Sequence, residues 1–509
     1  MTKSPRWMMA LLLCTALAAM APTCPNNPVL FEQGVASGDV TDASAVLWTR
    51  ANHAAVLKLE VSSNPSFALP HAFAQAAFAL PGQDFTVKVT ATGLDPDTPY
   101  FYRWRFGNTV SETGEFRTAP IATTVASARF AFTGDSDGTL LGGVPFFNNF
   151  EALDAARAEG LDFFVYLGDQ IYSDSFVRGL AGMGPAVTLD EYRDTWKVNR
   201  GFAALRDLLK ATSVFTIWDD HEVVNDYDGQ TVDPARYAAG RQAYFEYLPN
   251  TETGFPSDAS CAGDPLFQVF HWGSEIDLIT IDERSCRSAD VEAACAGDLA
   301  PTLAPAIRVL AGLPASPPPG CLSAIFDPAR TFLGPVQKQL FKDTLLASTA
   351  KFKFVINELP IQQFFALPYD RWEGYGAERN EILNFIRDND IGNVIFLATD
   401  IHANLANDVF IDIFSDPQPI ANEFVTGPIA RSTFADNVVA VVGPEGLAQV
   451  QFIFASILGV ECQALDTSSY AVVDVDANAG TATVTYKDDS GNVLVDDLST
   501  LPCVHTIGP

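Results

Sequence analysis

Four apolar runs along the chain each lead into acidic or imidazole side chains. A continuous apolar run of four or five residues predicts a buried strand. Polar residues at the carboxyl ends of such strands are typical of ligand sites at the edge of an α/β sheet. The runs and the polar residues after them are 130–133 with Asp135 and Asp137, 163–167 with Asp169 and Tyr172, 214–217 with Asp220, His221 and Asn225, and 394–398 with Asp400 and His402.

The first third of the chain has a different pattern, in which apolar residues alternate or form short stretches between turn signals. The turn Asp95-Pro96-Asp97 separates two such stretches. Short strands at this spacing predict a small β-sandwich, and Leu94, Tyr100 and Tyr102 are arranged as in immunoglobulin-like or fibronectin-like modules. We therefore expect an all-β domain over residues 28–120 that serves as a scaffold.

The remainder of the chain alternates between strand-like and helix-like segments. Helical spacing occurs near residues 150–159, 239–247, 335–345 and 378–388, and a closing hairpin is predicted over 470–495. This alternation predicts an α/β domain with a layered αββα arrangement over residues 126–505. Residues 292–319 are rich in alanine and proline and predict an extended surface loop.

Composition and charge limit the classes of function that this chain can have. A chain of 509 residues that is 48% hydrophobic is long enough for two or more folded domains. Its net charge of −31 opposes binding to nucleic acid and to anionic membranes. The same charge opposes phosphate esters unless bound cations reverse it locally. We expect no nucleic-acid partner.

The amino terminus carries the pattern of an export signal. A basic start is followed by an apolar run over residues 7–20, which is too short to span a membrane. We expect a signal peptide over residues 1–21, export to the periplasm or the medium, and no transmembrane segment after residue 21.

Seven cysteines follow the predicted signal peptide. Six of them allow fifteen disulfide pairings. Proximity in sequence favours Cys286 with Cys295, Cys261 with Cys321, and Cys462 with Cys503. Cys24 is left over, and we expect a free thiol there.

The polar residues after the four runs form a coherent set of metal ligands. A single Gly-Asp after a strand is usually a turn, so any one cluster alone says little. Together they offer hard oxygen donors and imidazole, which suit calcium, magnesium, manganese or ferric iron better than a thiolate zinc site. The set predicts a site for metals built from four strand ends.

The order of these motifs resembles the PhoD-type alkaline phosphatases, a branch of the calcineurin-like metallophosphoesterases. The matching motifs are Gly134-Asp135, Gly168-Asp169 with Tyr172, Trp218-Asp219-Asp220-His221-Glu222 with Asn225, and Thr399-Asp400 with His402. Supporting stretches at 34–39, 47–50, 357–360 and 371–375 extend the resemblance over nearly the whole mature chain.

The resemblance implies roles for individual residues. Asp169 would bridge two metals, Tyr172 would bind ferric iron, and His402 would bind one of the metals. Asp220, Asn225 and Asp400 would complete the second metal site, with Asp135 and Asp137 as further ligands. His221 is the expected proton donor to the leaving group, and a structural histidine bonded to Glu222 or Asp219 is its rival.

The metals implied by the resemblance are two or more ions, calcium together with iron. Relatives commonly have a cysteine ligand in the first motif, where this chain has Asp135. An all-oxygen shell also suits manganese or magnesium.

The expected function is that of a secreted phosphatase that hydrolyses small phosphomonoesters with metal-activated water. Two alternatives remain open: a phosphodiesterase or phospholipase D-like activity, and a noncatalytic binding protein on a decayed phosphoesterase fold. Arg284 and Arg371 are possible substrate clamps, although such arginines are more often partners in salt bridges.

Overall fold

The computed structural model describes residues 29–252, 261–310 and 312–508. The predicted signal peptide and Cys24 lie outside these residues. Two large β-sheets form the centre of the fold.

The first sheet has nine strands and carries three of the four predicted strand ends. Ala128–Thr133, Phe163–Tyr166 and Ser213–Thr216 are neighbours and run parallel, so their carboxyl ends meet at one edge. In spatial order the strands are Val504–Ile507, Thr481–Asp488, Ser469–Asp476, Ala128–Thr133, Phe163–Tyr166, Ser213–Thr216, Val35–Gly38, Ser44–Arg50 and Thr86–Thr92.

The second sheet has seven strands and carries the fourth strand end, after Val394–Ala398. In spatial order its strands are Gln268–Trp272, Ile276–Thr280, Phe352–Ile356, Val394–Ala398, Ala421–Val425, Asn404–Val409 and Cys462–Ala464. Strands Ile276–Thr280, Phe352–Ile356, Val394–Ala398 and Ala421–Val425 are parallel to one another. Their side chains are buried because both faces of the sheet are covered.

The two sheets pack face to face through aromatic side chains. Phe130 of the first sheet contacts Phe354 of the second at a ring separation of 5.1 Å, and Phe163 contacts Trp272 at 4.8 Å. Helices cover the outer faces, as in the packing of Phe341 and Ile382 against Val355. This confirms the predicted αββα arrangement.

Ten α-helices lie in the described chain. They are Glu151–Arg157, Phe176–Leu180, Leu189–Asn199, Ala203–Ala211, Pro234–Tyr247, Pro305–Leu310, Cys321–Ile325, Pro335–Ala347, Gly376–Asp388 and Phe434–Ser456. Short 3₁₀ turns occur at Pro81–Gln83 and Trp372–Tyr375, and a small hairpin joins Leu140–Leu141 to Val144–Pro145. The segment predicted as an extended surface loop therefore includes one short helix.

The amino-terminal strands are divided between two sheets. Phe73–Ala79, Ala55–Ser62, Pro99–Phe106, Thr109–Val110 and Gly114–Arg117 form a separate five-stranded sheet. Val35–Gly38, by contrast, pairs in parallel with Ser213–Thr216 and so extends the nine-stranded sheet. The predicted β domain and the predicted α/β domain therefore share one sheet.

The described residues contain three disulfides, and two of the predicted pairings are wrong. The structure pairs Cys261 with Cys286 and Cys295 with Cys321. The predicted Cys462–Cys503 bond is confirmed. Sequence proximity failed because the fold of the 261–321 segment, and not its spacing, sets which cysteines meet.

The Cys462–Cys503 bond is expected to stabilise the closing part of the chain. It spans 41 residues and joins an edge strand of the second sheet to the region of the terminal hairpin. Replacing both cysteines by serine should lower the free energy of unfolding by about 2–4 kcal/mol, because the unfolded chain loses a constraint. Urea unfolding of the variant and of the parent checks this. Equal midpoints would contradict it.

Helix Phe434–Ser456 leaves most of its apolar side chains in solvent. Val441 is 83% exposed and Phe452 59%. The helix is interrupted at Gly443, whose φ is 76°, and at Pro444. By length and composition it is the one helix in the described ranges that could cross a membrane. The sequence analysis did not predict it, because Asp436, Gly443-Pro444 and Glu445 interrupt the apolar run.

Candidate metal centre

The four strand ends meet at one place. Asp135, Asp169 and Asp220 follow neighbouring strands of the first sheet, and His402 follows Val394–Ala398 of the second. Side chains that could hold a metal ion lie within 4.8 Å of one another in three groups. The groups are Asp135, Asp169 and His402; Asp169, Asp220 and His221; and Asp220, Asp226 and Asp370.

Consecutive groups share a carboxylate, Asp169 between the first two and Asp220 between the last two. A shared carboxylate is what holds two cations close together, as in two-metal sites with separations of about 3.5–4 Å. Asp169 therefore occupies the position that a bridging ligand requires.

The backbone at these strand ends adopts an unusual conformation. The φ angles are 60° at Asp135, 53° at Asp169, 65° at Asp400 and 57° at His402. Non-glycine residues held at positive φ cost roughly 1–3 kcal/mol each and cluster at functional sites. The sharp turns let each strand stop and direct its last side chains into the same space.

Gly168 allows the loops to approach closely. A Cβ atom there would lie 2.5 Å from Cβ of Asp219, which no real side chain tolerates. The Gly168 amide also donates to Glu358 at 2.7 Å, and the Gln170 amide donates to Glu222 at 2.6 Å. Buried carboxylates therefore fix the loop that carries Asp169.

In the first group, one oxygen of Asp135 is free to bind a cation. Thr399 donates its hydroxyl to Oδ2 of Asp135. Oδ1 is buried without a hydrogen-bond partner and lies 3.9 Å from Nε2 of His402. Nδ1 of His402 donates to the carbonyl of Ser432 at 2.8 Å, which leaves Nε2 available to a metal ion. The hydroxyl oxygen of Tyr172 lies 3.2 Å from the same Nε2.

In the second group, His221 is oriented by a carboxylate that sequence reasoning missed. Its Nδ1 donates to Asp174 at 2.5 Å, and its Nε2 lies 3.9 Å from both Asp169 and Asp220. The partner is thus neither Glu222 nor Asp219. Asp174 lies in the same loop as Tyr172, and its place two residues later was the available signal.

The carboxylates place an excess of negative charge at the centre, and this is reflected in their raised pKa values. Burial, together with Asp220 and Asp219, raises the pKa of Asp169 well above its usual value. Burial also raises the pKa of Asp135 to about 7. A hard cation would relieve both costs, and oxygen donors with imidazole are its preferred ligands. The residues present therefore fit a metal.

His221 and His402 differ in which protonation state their surroundings favour. Burial opposes protonation of His221, but Asp220 and Asp174 outweigh it and raise its pKa to about 9. Burial, together with Arg431, lowers the pKa of His402 to about 3. A neutral His402 is suited to ligation and a protonated His221 to proton donation.

Besides Tyr172, three predicted ligands lie outside the groups. Asp137 accepts from the Ser175 hydroxyl at 2.5 Å, the Thr139 amide at 3.0 Å and Arg431 at 3.3 Å. The exposed Asn225 donates its backbone amide to Asp174 at 2.8 Å. Asp400 is half-buried beside the centre, and burial together with Asp219 and Asp370 raises its pKa.

The possible substrate clamps have other partners. Arg284 is fully buried and donates to Asp219 at 2.5 Å and to Asp370 at 2.8 and 2.9 Å. Arg371 donates to the carbonyl of Ala366 and faces Glu373. Both arginines therefore pair with carboxylates or carbonyls of the protein itself.

Arg431 is a positively charged side chain near the centre that the sequence pattern did not predict. Its guanidinium lies 4.6 Å from the ring of Tyr172 and 3.3 Å from Asp137. No strand-end motif contains it, and it reaches the centre only because Ala430 pairs with Ser136. Its side chain remains 17% exposed, so it lines the open side of the centre.

Family models match most of the chain. The PhoD-like phosphatase model covers residues 142–484, which is more than half of the chain. The chain belongs to the PhoD-like phosphatase family. The model of the PhoD-like phosphatase amino-terminal domain covers residues 17–120.

Comparisons with individual proteins agree with this family. Alkaline phosphatase D of Bacillus subtilis (strain 168) is 28% identical over 431 residues, which are 77% of this chain and 67% of the relative. A solved structure of PhoD matches with a TM-score of 0.73 and 24% identity over 96% of this chain and 90% of that one. The chain is thus a homologue of a phosphoric ester hydrolase.

A more distant structure shares the fold. Purple acid phosphatase PPD1 from yellow lupin (Lupinus luteus) seeds matches with a TM-score of 0.55 and 11% identity, over 93% of this chain and 73% of that one. The metallophosphoesterase fold predicted from the strand-end motifs is therefore confirmed.

Proposed function

We propose that this PhoD-like protein is an exported, metal-dependent phosphatase that hydrolyses small phosphomonoesters with water. One observation supports this most directly: Asp169 belongs to two adjoining Asp/His groups, one of which includes the unpartnered Oδ1 of Asp135. Three disulfides accord with an oxidising compartment.

The proposed ligands divide between two cations. Asp135, Asp169, Tyr172 and His402 would hold one, and Asp169 and Asp220, with Asn225 and Asp400 nearby, would hold the other. When bound, the cations supply positive charge to the phosphoryl oxygens and lower the pKa of a water to about 7. Asp137 supports this shell through Ser175 and Arg431.

We infer calcium together with iron as the metals, with manganese or magnesium as alternatives. Tyr172 supplies a phenol, and a phenolate is a hard donor suited to ferric iron. Asp135 stands where a cysteine is common in the family, and its carboxylate equally suits the other hard cations.

His221 is the proposed general acid. Asp174 accepts its Nδ1–H and leaves Nε2 directed toward Asp169 and Asp220. Asp220 and Asp174 raise the pKa of the imidazole and so favour its protonated form, which can transfer a proton from Nε2 to the oxygen of the departing alcohol.

Replacing His221 by alanine should separate these roles. Turnover should fall by about 10²–10⁴-fold, because proton transfer to the leaving group is lost. Metal content, measured by mass spectrometry of the purified protein, should stay at the parental level. Asp174→Asn serves as the matched variant and should produce a smaller loss of turnover. Loss of metal from His221→Ala would instead make His221 a ligand.

Hydrolysis of a chromogenic phosphomonoester beside its diester analogue tests the function as a whole. The purified protein is assayed before chelation, after chelation, and after restoration with calcium, manganese or iron. A faster monoester reaction that requires metal supports the proposal. Preference for the diester would identify a phosphodiesterase, and metal binding without turnover of either ester would favour a noncatalytic binding protein.

A further inference from the structure

Three phenylalanine rings form an aromatic cluster beside the metal centre. Phe146 lies 5.0 Å from Phe147 and 5.6 Å from Phe176, measured between ring centroids. Phe147 and Phe176 are 6.3 Å apart, and all three pairs are edge-to-face. Phe146 is 38% exposed and Phe176 is 51% exposed. Such exposure of large aromatic rings in one place is typical of a binding surface.

Arg431 connects this aromatic cluster to the metal centre. Its guanidinium lies 5.6 Å from the ring of Phe147, 5.3 Å from Phe176 and 4.6 Å from Tyr172. The Arg431 side chain thus lies between the aromatic cluster and Tyr172, which is a proposed metal ligand.

The surroundings of the aromatic cluster are apolar on the outer side. Leu141 and Val144, on the small hairpin, are 39% and 65% exposed, and Leu180 is 60% exposed. Within the described chain, the hydrogen bond to Asp137 is the only one that Arg431 makes. An apolar surface with a cation, Arg431, on the side that borders the centre suits a ligand with an anionic end and an apolar end.

We propose that Phe146, Phe147 and Phe176 form a leaving-group subsite that binds the planar, apolar alcohol portion of the phosphomonoester. This rests on the proposed phosphatase function. Arg431 forms the wall between the subsite and the metal centre. Edge-to-face rings with exposed faces favour an aromatic ring over an aliphatic chain, because aromatic pairs gain from their quadrupoles beyond the area that they bury.

The test compares benzyl phosphate with glycerol 1-phosphate, whose alcohols are both primary and differ mainly in apolar surface. For the parent, kcat/KM should favour benzyl phosphate by about tenfold, the size of effect that a small apolar group produces in a pocket. In the double variant Phe146→Ala/Phe176→Ala the ratio should fall to about one, because the rate with benzyl phosphate should fall more than the rate with glycerol 1-phosphate. Phe147 is left intact because it also packs against the main core.

Two control variants isolate the aromatic contribution. Phe78→Ala removes a ring that is 62% exposed but lies on the separate five-stranded sheet, and it should leave the ratio unchanged. Phe146→Leu/Phe176→Leu keeps apolar bulk and should recover part of the preference. A parent ratio near one, or an equal fall for both substrates in the alanine variant, would overturn the subsite.

Binding without turnover separates this inference from the proposed function. Calorimetric titration with benzylphosphonate and methylphosphonate should show about tenfold tighter binding of the former by the parent, and equal binding by the alanine variant. This preference without hydrolysis of any ester would reject the phosphatase and keep the subsite. Equal binding of both phosphonates by the parent would reject the subsite whether or not esters are hydrolysed.

Discussion

Replacing Asp169 by asparagine is expected to lower kcat by about 10³-fold or more, because several kcal/mol of charge stabilisation depend on cations held close together. Asp169 is the carboxylate that the first two Asp/His groups share. An amide keeps the shape of the side chain but offers one neutral oxygen in place of two charged ones. Metal analysis of the purified variant should show the loss of at least one ion per chain, and steady-state assays give kcat.

Asp137→Asn provides the matched comparison for this variant. Asp137 lies in the same layer of loops, but its oxygens accept from Ser175, Thr139 and Arg431. Its replacement should keep the metal content and lower kcat by about 10–100-fold, the range of residues that orient ligands. If Asp169→Asn retained both metals and parental kcat, Asp169 would not be the bridge.

Replacing Arg284 by methionine is expected to lower the free energy of unfolding by about 3–5 kcal/mol, because a buried ion pair that loses one partner leaves charge without compensation. Arg284 is fully buried and ion-paired with Asp219 and Asp370. Burial opposes ionisation of Asp370, yet Arg284 and Arg287 hold its pKa below the usual value. Methionine fills a similar volume, so the effect reports charge.

Urea unfolding of Arg284→Met and of a surface variant measures this effect. Arg387→Met is the control, because Arg387 is 44% exposed and pairs with exposed partners. The control should change the free energy of unfolding by less than about 0.5 kcal/mol. An equal decrease in the free energy of unfolding of the two variants would show that the buried ion pair adds no more stability than an exposed one.

The elements that were predictable from sequence are those whose signal is local. An apolar run that leads directly into an acidic motif identifies both a buried strand and the side chain at its end. Asp135 and Asp169 follow such runs in Gly-Asp motifs, and Asp220 follows one in Trp218-Asp219-Asp220. Parallel pairing then brings these strand ends together without further information. The layered fold followed from the same runs and from the helical spacing between them.

The remaining features depend on contacts between distant parts of the chain. Neither Arg431 nor Asp370 belongs to a strand-end motif, and they enter the centre because their loops pack against it. The helix Phe434–Ser456 was hidden by its internal Gly443-Pro444. The disulfides of the 261–321 segment likewise depend on which loops meet in space.

The parallel pairing of Val35–Gly38 with Ser213–Thr216 affects how this architecture can evolve. Without residues 35–92, strand Ser213–Thr216, which precedes Asp220 and His221, would lie at an open edge of the sheet with unpaired backbone amides and carbonyls. Open sheet edges promote aggregation. A gene that started near residue 120, or that exchanged its first segment for an unrelated module, would expose that edge beside the metal centre. The two family segments are therefore expected to fold as one unit.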